Sequence, residues 1–161
     1  MMVSRQIQKA ISRYDPNETH RLRLYSIAYL WGTTGFGVNV DALEARGVEG
    51  PSGSIIFSPE TAEKLADCGL SVLDAPEDVI PLVLLSIGED PASTDPTVIK
   101  KAGPELLRFA PYVRHIDSDN YVERLSSGEI CVALGYSGDI LQARRAAAAG
   151  NREIRYDLPA N

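Results

Sequence analysis

The sequence predicts an α/β protein, a mostly parallel sheet in a three-layer arrangement with helices on both faces. Three observations carry that reading. Strand-like and helical patterns alternate along the chain, the connections between them are short, and Ile130 to Leu134 is a continuous apolar run of the kind that a strand buried on both faces needs. A chain of 161 residues falls in the usual size range of one domain and can bury one sizeable core.

Ile7, Ala10 and Ile11 recur at helical spacing and predict a short leading helix that stops at Tyr14-Asp15-Pro16-Asn17. Arg21 to Trp31 alternates and is rich in Leu, Ile and Tyr. With Val38-Asn39-Val40 it predicts extended chain on both sides of the glycines between Gly32 and Gly37. Gly47 to Ser54 reads as a loop, and Pro59 to Cys68 as a helix with Ser58 at its N-cap. Leu70 to Asp74 is a short β-type run. Val79, Ile80, Val83, Leu84 and Ile87 then trace the buried face of a helix that ends at Gly88.

A turn-rich link from Asp90 to Pro96 leads into a helical stretch, Thr97 to Phe109, which Gly103-Pro104 is expected to divide. Val113 to Ile116 is a brief strand, and Asp117 or Ser118 is placed to cap a helix running through Tyr121, Val122 and Leu125 to Gly128. The buried strand Ile130 to Leu134 follows. An alanine-rich helix, Ile140 to Ala149, closes at Gly150-Asn151, and Glu153 to Leu158 gives a last strand.

Composition excludes several functions. With 22 acidic against 16 basic residues and no basic cluster larger than Arg144-Arg145, the chain repels nucleic acid. No apolar run approaches the roughly 20 residues that would cross a bilayer. Met1 to Gln6 carries no secretory signal as written. His20 and His115 make no zinc constellation, and Cys68 and Cys131 are too far apart for a CxxC pair, which leaves either buried thiols or one disulfide.

In an open α/β sheet, ligands bind beyond the carboxyl ends of the strands. Asp74-Ala75-Pro76-Glu77 and Gly135-Tyr136-Ser137-Gly138-Asp139 both sit where a strand-like run gives way to a helix. Acids delivered there by two strands, with a ring beside them, suit an amine cation through charge-assisted hydrogen bonds and cation–π attraction. Each motif also has a plain structural reading. Asp74-x-x-Glu77 matches a capping box, Ser137 could cap the last long helix, and Tyr136 could be core. Catalytic readings fare worse. Gly135-Tyr136-Ser137-Gly138 is not a nucleophile elbow, and the glycines at 32, 35 and 37 fit neither the dinucleotide fingerprint nor the phosphate loop.

Three longer motifs, Tyr29-Leu30-Trp31-Gly32-Thr33-Thr34-Gly35-Phe36-Gly37-Val38-Asn39-Val40, Leu73-Asp74-Ala75-Pro76-Glu77-Asp78-Val79 and Gly128 to Asp139, occur in the order in which polyamine receptors carry them. The chain resembles the putrescine- and spermidine-binding periplasmic proteins of bacterial transport systems. That resemblance implies one flavodoxin-like lobe of a type II periplasmic binding protein, non-enzymatic and without cofactor. It implies hinge remnants near residues 25–35, including Tyr29, Trp31 and Gly32, and near 153–159. Carried over residue by residue, it implies that Glu77 and Asp139 hold ligand amines, with Asp74 close behind. Tyr136 stands where the family usually has a tryptophan that packs on the polyamine chain. It also implies a Cys68–Cys131 disulfide, and hence an oxidising, periplasmic compartment for the parent protein.

The chain departs from the family pattern at Ala28 and at Gly53-Ser54-Ile55 as well as at Tyr136. The expectation is an excised or engineered single lobe with half of a putrescine or spermidine site, binding weakly, whose parent docks on an ABC transporter permease. The alternative expectation is a self-associating module, paired as a homodimer through an interlobe face bearing Tyr25, Tyr29, Trp31 and Tyr136.

Overall fold

The computed structural model describes residues 30–48 and 57–158. The chain divides into two units, Met1–Gly32 and Thr33–Asn161. The leading helix, the strand-like run over residues 21–29 including Tyr25 and Tyr29, and most of the loop from Gly47 to Ser54 lie outside the described residues. Residues 30–32, at the end of the first unit, have no regular structure.

The second unit is built on a five-stranded sheet in the order β3-β2-β4-β1-β5. Its strands are β1 (Thr34–Asn39), β2 (Leu70–Val72), β3 (Val113–Ile116), β4 (Val132–Tyr136) and β5 (Ile154–Asp157). β2 is parallel to β3 and to β4, whereas β1 runs antiparallel to both β4 and β5. Four strands therefore point one way, and β1, between β4 and β5, points back. This reversal brings the start of β1 to the end of the sheet where β2 and β4 finish, with Thr34 opposite Tyr136.

The helices are α1 (Val40–Glu44), α2 (Pro59–Leu65), α3 (Pro76–Ser86), α4 (Pro96–Ile99), α5 (Ala102–Phe109), α6 (Tyr121–Ser127) and α7 (Ser137–Ala148). Glycine explains how closely α6 and α7 approach the sheet. A Cβ on Gly37 would lie 2.5 Å from Ile140 Cδ1 and 2.7 Å from Leu125 Cδ2, so both helices press directly on the β1 backbone. On the opposite face of β1, Phe36 meets Phe57 edge-on, and Phe57 meets Phe109 of α5, each pair with ring centroids 5.4 Å apart. α2 and α3 pack against α5 on that side, which completes the three layers. Val38, Leu65, Leu70, Val83, Leu125 and Leu134 are fully buried, each worth on the order of 2 kcal/mol of apolar transfer.

Cys68 and Cys131, which precede β2 and β4, form a disulfide with Cα atoms 5.5 Å apart. The bridge ties the two central parallel strands at the end of the sheet opposite Tyr136.

Several expectations are corrected. β1 ends at Asn39 rather than Val40, because the Asn39 carboxamide accepts from the Ala42 amide at 3.1 Å and opens α1, a helix the sequence reading did not contain. The break in the stretch Thr97 to Phe109 falls at Lys100-Lys101. Gly103-Pro104 lies within the first turn of α5, where a proline's missing N–H costs little. β2 stops at Val72, since its carbonyl accepts from the Asp117 amide and the Asp74 amide turns to Ser118 Oγ at 3.0 Å. Ile87 is exposed at the end of α3 rather than part of its buried face. Among the helix caps, Ser58 stands at the N-cap of α2 but donates its hydroxyl to Glu60. Neither Asp117 nor Ser118 is the N-cap of α6. That place falls to Asn120, while Asp117 Oδ1 accepts from the Asp119 and Asn120 amides just before it.

Candidate functional site

The capping readings of both acidic motifs fail, which frees their side chains. α3 opens at Pro76 with Ala75 at the N-cap and no side-chain cap, so Asp74 and Glu77 do not form a capping box. The fixed φ of Pro76 starts the helix there, and Glu77 and Asp78 become the acids of its first turn. α7 opens directly from β4 with Tyr136 at the N-cap. Ser137 is its first residue, and its hydroxyl accepts from the Thr33 amide at 3.2 Å while its own amide donates to the Thr33 carbonyl at 2.9 Å.

These two helix starts converge on Tyr136. The ring is not core: Tyr136 is 38% exposed. Its hydroxyl donates to Asp78 Oδ2 at 2.8 Å, and Thr34 Oγ1 at the start of β1 donates to Asp78 Oδ1 at 3.2 Å. Asp78 thus joins three elements, α3, β4 and β1, through one carboxylate. The hydrogen bond to Asp78 is the first cause that lifts the Tyr136 phenol above its ordinary value. Partial desolvation follows, then the negative charges of Asp78, Glu77 and Asp139.

Asp139 is held from beneath. Tyr121 of α6 is completely buried and donates its hydroxyl to Asp139 Oδ2 at 2.5 Å, while the Tyr121 hydroxyl oxygen accepts from the Tyr136 amide at 3.2 Å. Burial first and this bond second push the Tyr121 phenol far upward, so it stays a donor throughout the ordinary pH range. Gly135 makes room for it, since a Cβ there would lie 2.3 Å from Tyr121 Cε2. An ion pair between Arg124 and Asp117, at 2.7 Å, braces α6 against the loop after β3.

Of the four residues singled out by sequence, the structure brings Glu77, Tyr136 and Asp139 to one end of the sheet. Asp74 is exposed on the turn before α3, its amide held by Ser118. Glu77 is exposed, and it also borders an apolar groove of about 220 Å³ lined by Pro76, Ile80, Pro81, Leu84 and Ile99. Sequence reasoning missed Asp78, Thr34 and Tyr121. The Ala-Pro start of α3 was the available signal for Asp78, because it sets which acids fall in the first turn. Nothing local marks Thr34 or Tyr121, which act across the sheet. Among the described residues, none of Asp74, Glu77, Asp78 and Asp139 pairs with a Lys or Arg, whereas Asp67, Glu89, Glu105, Asp117 and Asp157 all do. Tyr29 lies outside the described residues, and Trp31 and Gly32 belong to the first unit.

The fold sets the class: an α/β sheet of the kind found in the type II periplasmic binding proteins. The model matches the crystal structure of the spermidine/putrescine ABC transporter substrate-binding protein PotD from Streptococcus pneumoniae with a TM-score of 0.69 at 21% identity, over 83% of this chain and 38% of that one. It matches the Tp0655 (TpPotD) lipoprotein of Treponema pallidum with a TM-score of 0.65 at 23% identity, over 81% of this chain and 38% of that one. At such identities the likeness is one of fold.

Sequence comparison specifies more. The chain is 40% identical over 150 residues to the putrescine-binding periplasmic protein SpuD of Pseudomonas aeruginosa, covering 90% of this chain and 40% of that protein. It is 40% identical over 162 aligned positions to the putrescine-binding periplasmic protein PotF of Escherichia coli, covering 96% of this chain and 42% of that protein. No family model matches the chain. The chain is thus a relative of the polyamine-binding periplasmic proteins, which are solute-binding proteins of transport systems and not enzymes, and it spans about two fifths of their length.

Proposed function

We propose that this chain forms one wall of a putrescine or spermidine site. Glu77 and the free oxygen of Asp139 take ammonium groups, and the Tyr136 ring packs against the charge or the methylene chain. One observation carries the reading: Glu77, Asp78 and Asp139 all bear on Tyr136, and none has a basic partner among the described residues. The ligand class follows from the relatives, which are named for putrescine and spermidine. Asp74, set back on its turn, contributes to the field rather than to contact. The complete receptor holds the ligand in the periplasm for delivery to an ABC transporter permease, as a second lobe closes the other wall.

A wall alone binds weakly. Each exposed ammonium–carboxylate contact gives at most about 1 kcal/mol, and an exposed cation–π contact about 0.5 to 1 kcal/mol. The sum falls short of the ~4 kcal/mol that a millimolar constant represents. Calorimetric titration with putrescine and spermidine is expected to give dissociation constants in the millimolar range or above. Micromolar binding by the monomer would refute the one-wall reading.

Self-association is a second reading. It rests on Ile116 and Leu158, exposed large apolar residues at the same end of the sheet as Tyr136. Sedimentation velocity tests it, and a strict monomer at high concentration would dismiss it.

A further inference from the structure

We infer that Asp78 is a positioning residue that makes the Tyr136 hydroxyl an acceptor for primary ammonium groups, so that this wall selects cations bearing N–H donors over fully N-methylated ones. The inference rests on the amine-site reading above and deepens it.

A phenol hydroxyl has one proton and lone pairs on its oxygen. Left to itself, it can turn that proton toward an approaching cation or away from it. Here the direction is fixed, because the proton is given to Asp78 Oδ2 at 2.8 Å. Asp78 cannot readily turn aside, since its other oxygen accepts from Thr34 at 3.2 Å. Both Asp78 oxygens are therefore engaged, which suits the residue to orienting its neighbour rather than to holding the amine. The lone pairs of Tyr136 are left on the open side, in a residue that is 38% exposed, and donation to a carboxylate strengthens the oxygen as an acceptor. Tyr136 is also fixed at its backbone, where its amide donates to the buried Tyr121 hydroxyl at 3.2 Å.

Two kinds of cation feel this arrangement differently. A primary ammonium gains an N–H bond to the phenol oxygen in addition to the negative field of Glu77 and Asp139. A quaternary ammonium has no N–H and gains only the ring face and the general negative field. The phenol oxygen is thus a discriminating contact, and the ring is a common one.

The test compares putrescine with its bis(trimethylammonium) analogue by NMR titration of the chain and of Tyr136→Phe. The hydrogen bond to a charged donor is partly exposed, so its loss is expected to weaken putrescine by roughly three- to tenfold while the quaternary analogue changes less than twofold. A second readout addresses Asp78 without any ligand. In isotope-labelled tyrosine spectra, Asp78→Asn is expected to lower the pH at which Tyr136 ionises, because the charged acceptor that raises it is gone. Equal losses for the two cations, or an unmoved Tyr136 ionisation, would overturn the inference while leaving the amine site in place. Failure of both cations to bind would overturn the site reading and this inference with it.

Discussion

Reducing the Cys68–Cys131 disulfide is expected to remove about 4 kcal/mol of stability. The bridge closes a loop with a sequence separation of 63 residues. In the chain-entropy treatment such a loop lowers the entropy of the unfolded ensemble by about 14 cal/mol/K, which is about 4 kcal/mol at room temperature. Against a typical total of roughly 5 to 15 kcal/mol, this is a large share. For a chain of this size each kcal/mol moves the melting temperature by roughly 2 to 4 °C, so the midpoint should fall by roughly 8 to 16 °C. The assay is thermal unfolding followed by circular dichroism, with and without reductant. Thiol alkylation and intact mass run alongside to confirm which state is being melted. A fall equivalent to less than about 1 kcal/mol, with alkylation proving complete reduction, would refute the reasoning. It would mean that the unfolded chain already keeps the two cysteine segments together.

Other perturbations separate the parts of the site. Gly135→Ala drives a methyl group into the buried Tyr121 ring, and urea unfolding should show a loss of roughly 1 to 3 kcal/mol; an unchanged midpoint would mean that the helix–strand approach is looser than the 2.3 Å contact implies. Tyr121→Phe removes the hydroxyl between Asp139 and the Tyr136 amide, so chemical denaturation should show a loss of roughly 1 to 3 kcal/mol, and a neutral result would dismiss the network as a structural element. Asp117 is held down to about 2, chiefly by the Asp119 amide and then by Asn120. Because its folded value lies below the unfolded one, its contribution is present above the ordinary Asp range and is lost as pH falls toward 2. Acid unfolding of Asp117→Asn should therefore be less steep across that window than in the parent chain, and identical acid profiles would count against the assignment.

Periodicity exposed most of the fold because the sheet and its covering helices are simple. Ile130 to Leu134 is buried throughout, as its apolar run requires, but β4 itself begins two residues later, at Val132, and runs on to Tyr136. The helix Val79 to Leu84 reads correctly because one side of α3 faces the core. What escaped was set by contacts distant in sequence. The reversed direction of β1 depends on its pairing with β4 and β5, and no residue of Thr34 to Asn39 announces it. The glycines of that strand match no ligand-binding fingerprint, and their spacing alone names no packing partner. The neighbours of Gly37, Ile140 and Leu125, come from helices about a hundred residues later, and those of Gly35, Tyr156 and Asp157, from the last strand.

The site was half legible for the same reason. Glu77, Tyr136 and Asp139 stand at strand-to-helix junctions and can be found by position alone. Asp78 differs from Glu77 by one place on a helix, so its turn toward Tyr136 depended on where that helix starts. Tyr121 looked like an ordinary core aromatic, and only the packing of α6 against β4 gives its hydroxyl a carboxylate to hold.

The most direct test of the amine wall is a two-dimensional amide NMR titration of this chain with putrescine. The account expects saturable shifts at Glu77, Asp78, Tyr136 and Asp139 that reach half-maximum only above about 1 mM ligand, with the strand starts near Cys68 and Cys131 unmoved. Shifts confined to another surface, or none up to about 100 mM putrescine, would contradict it.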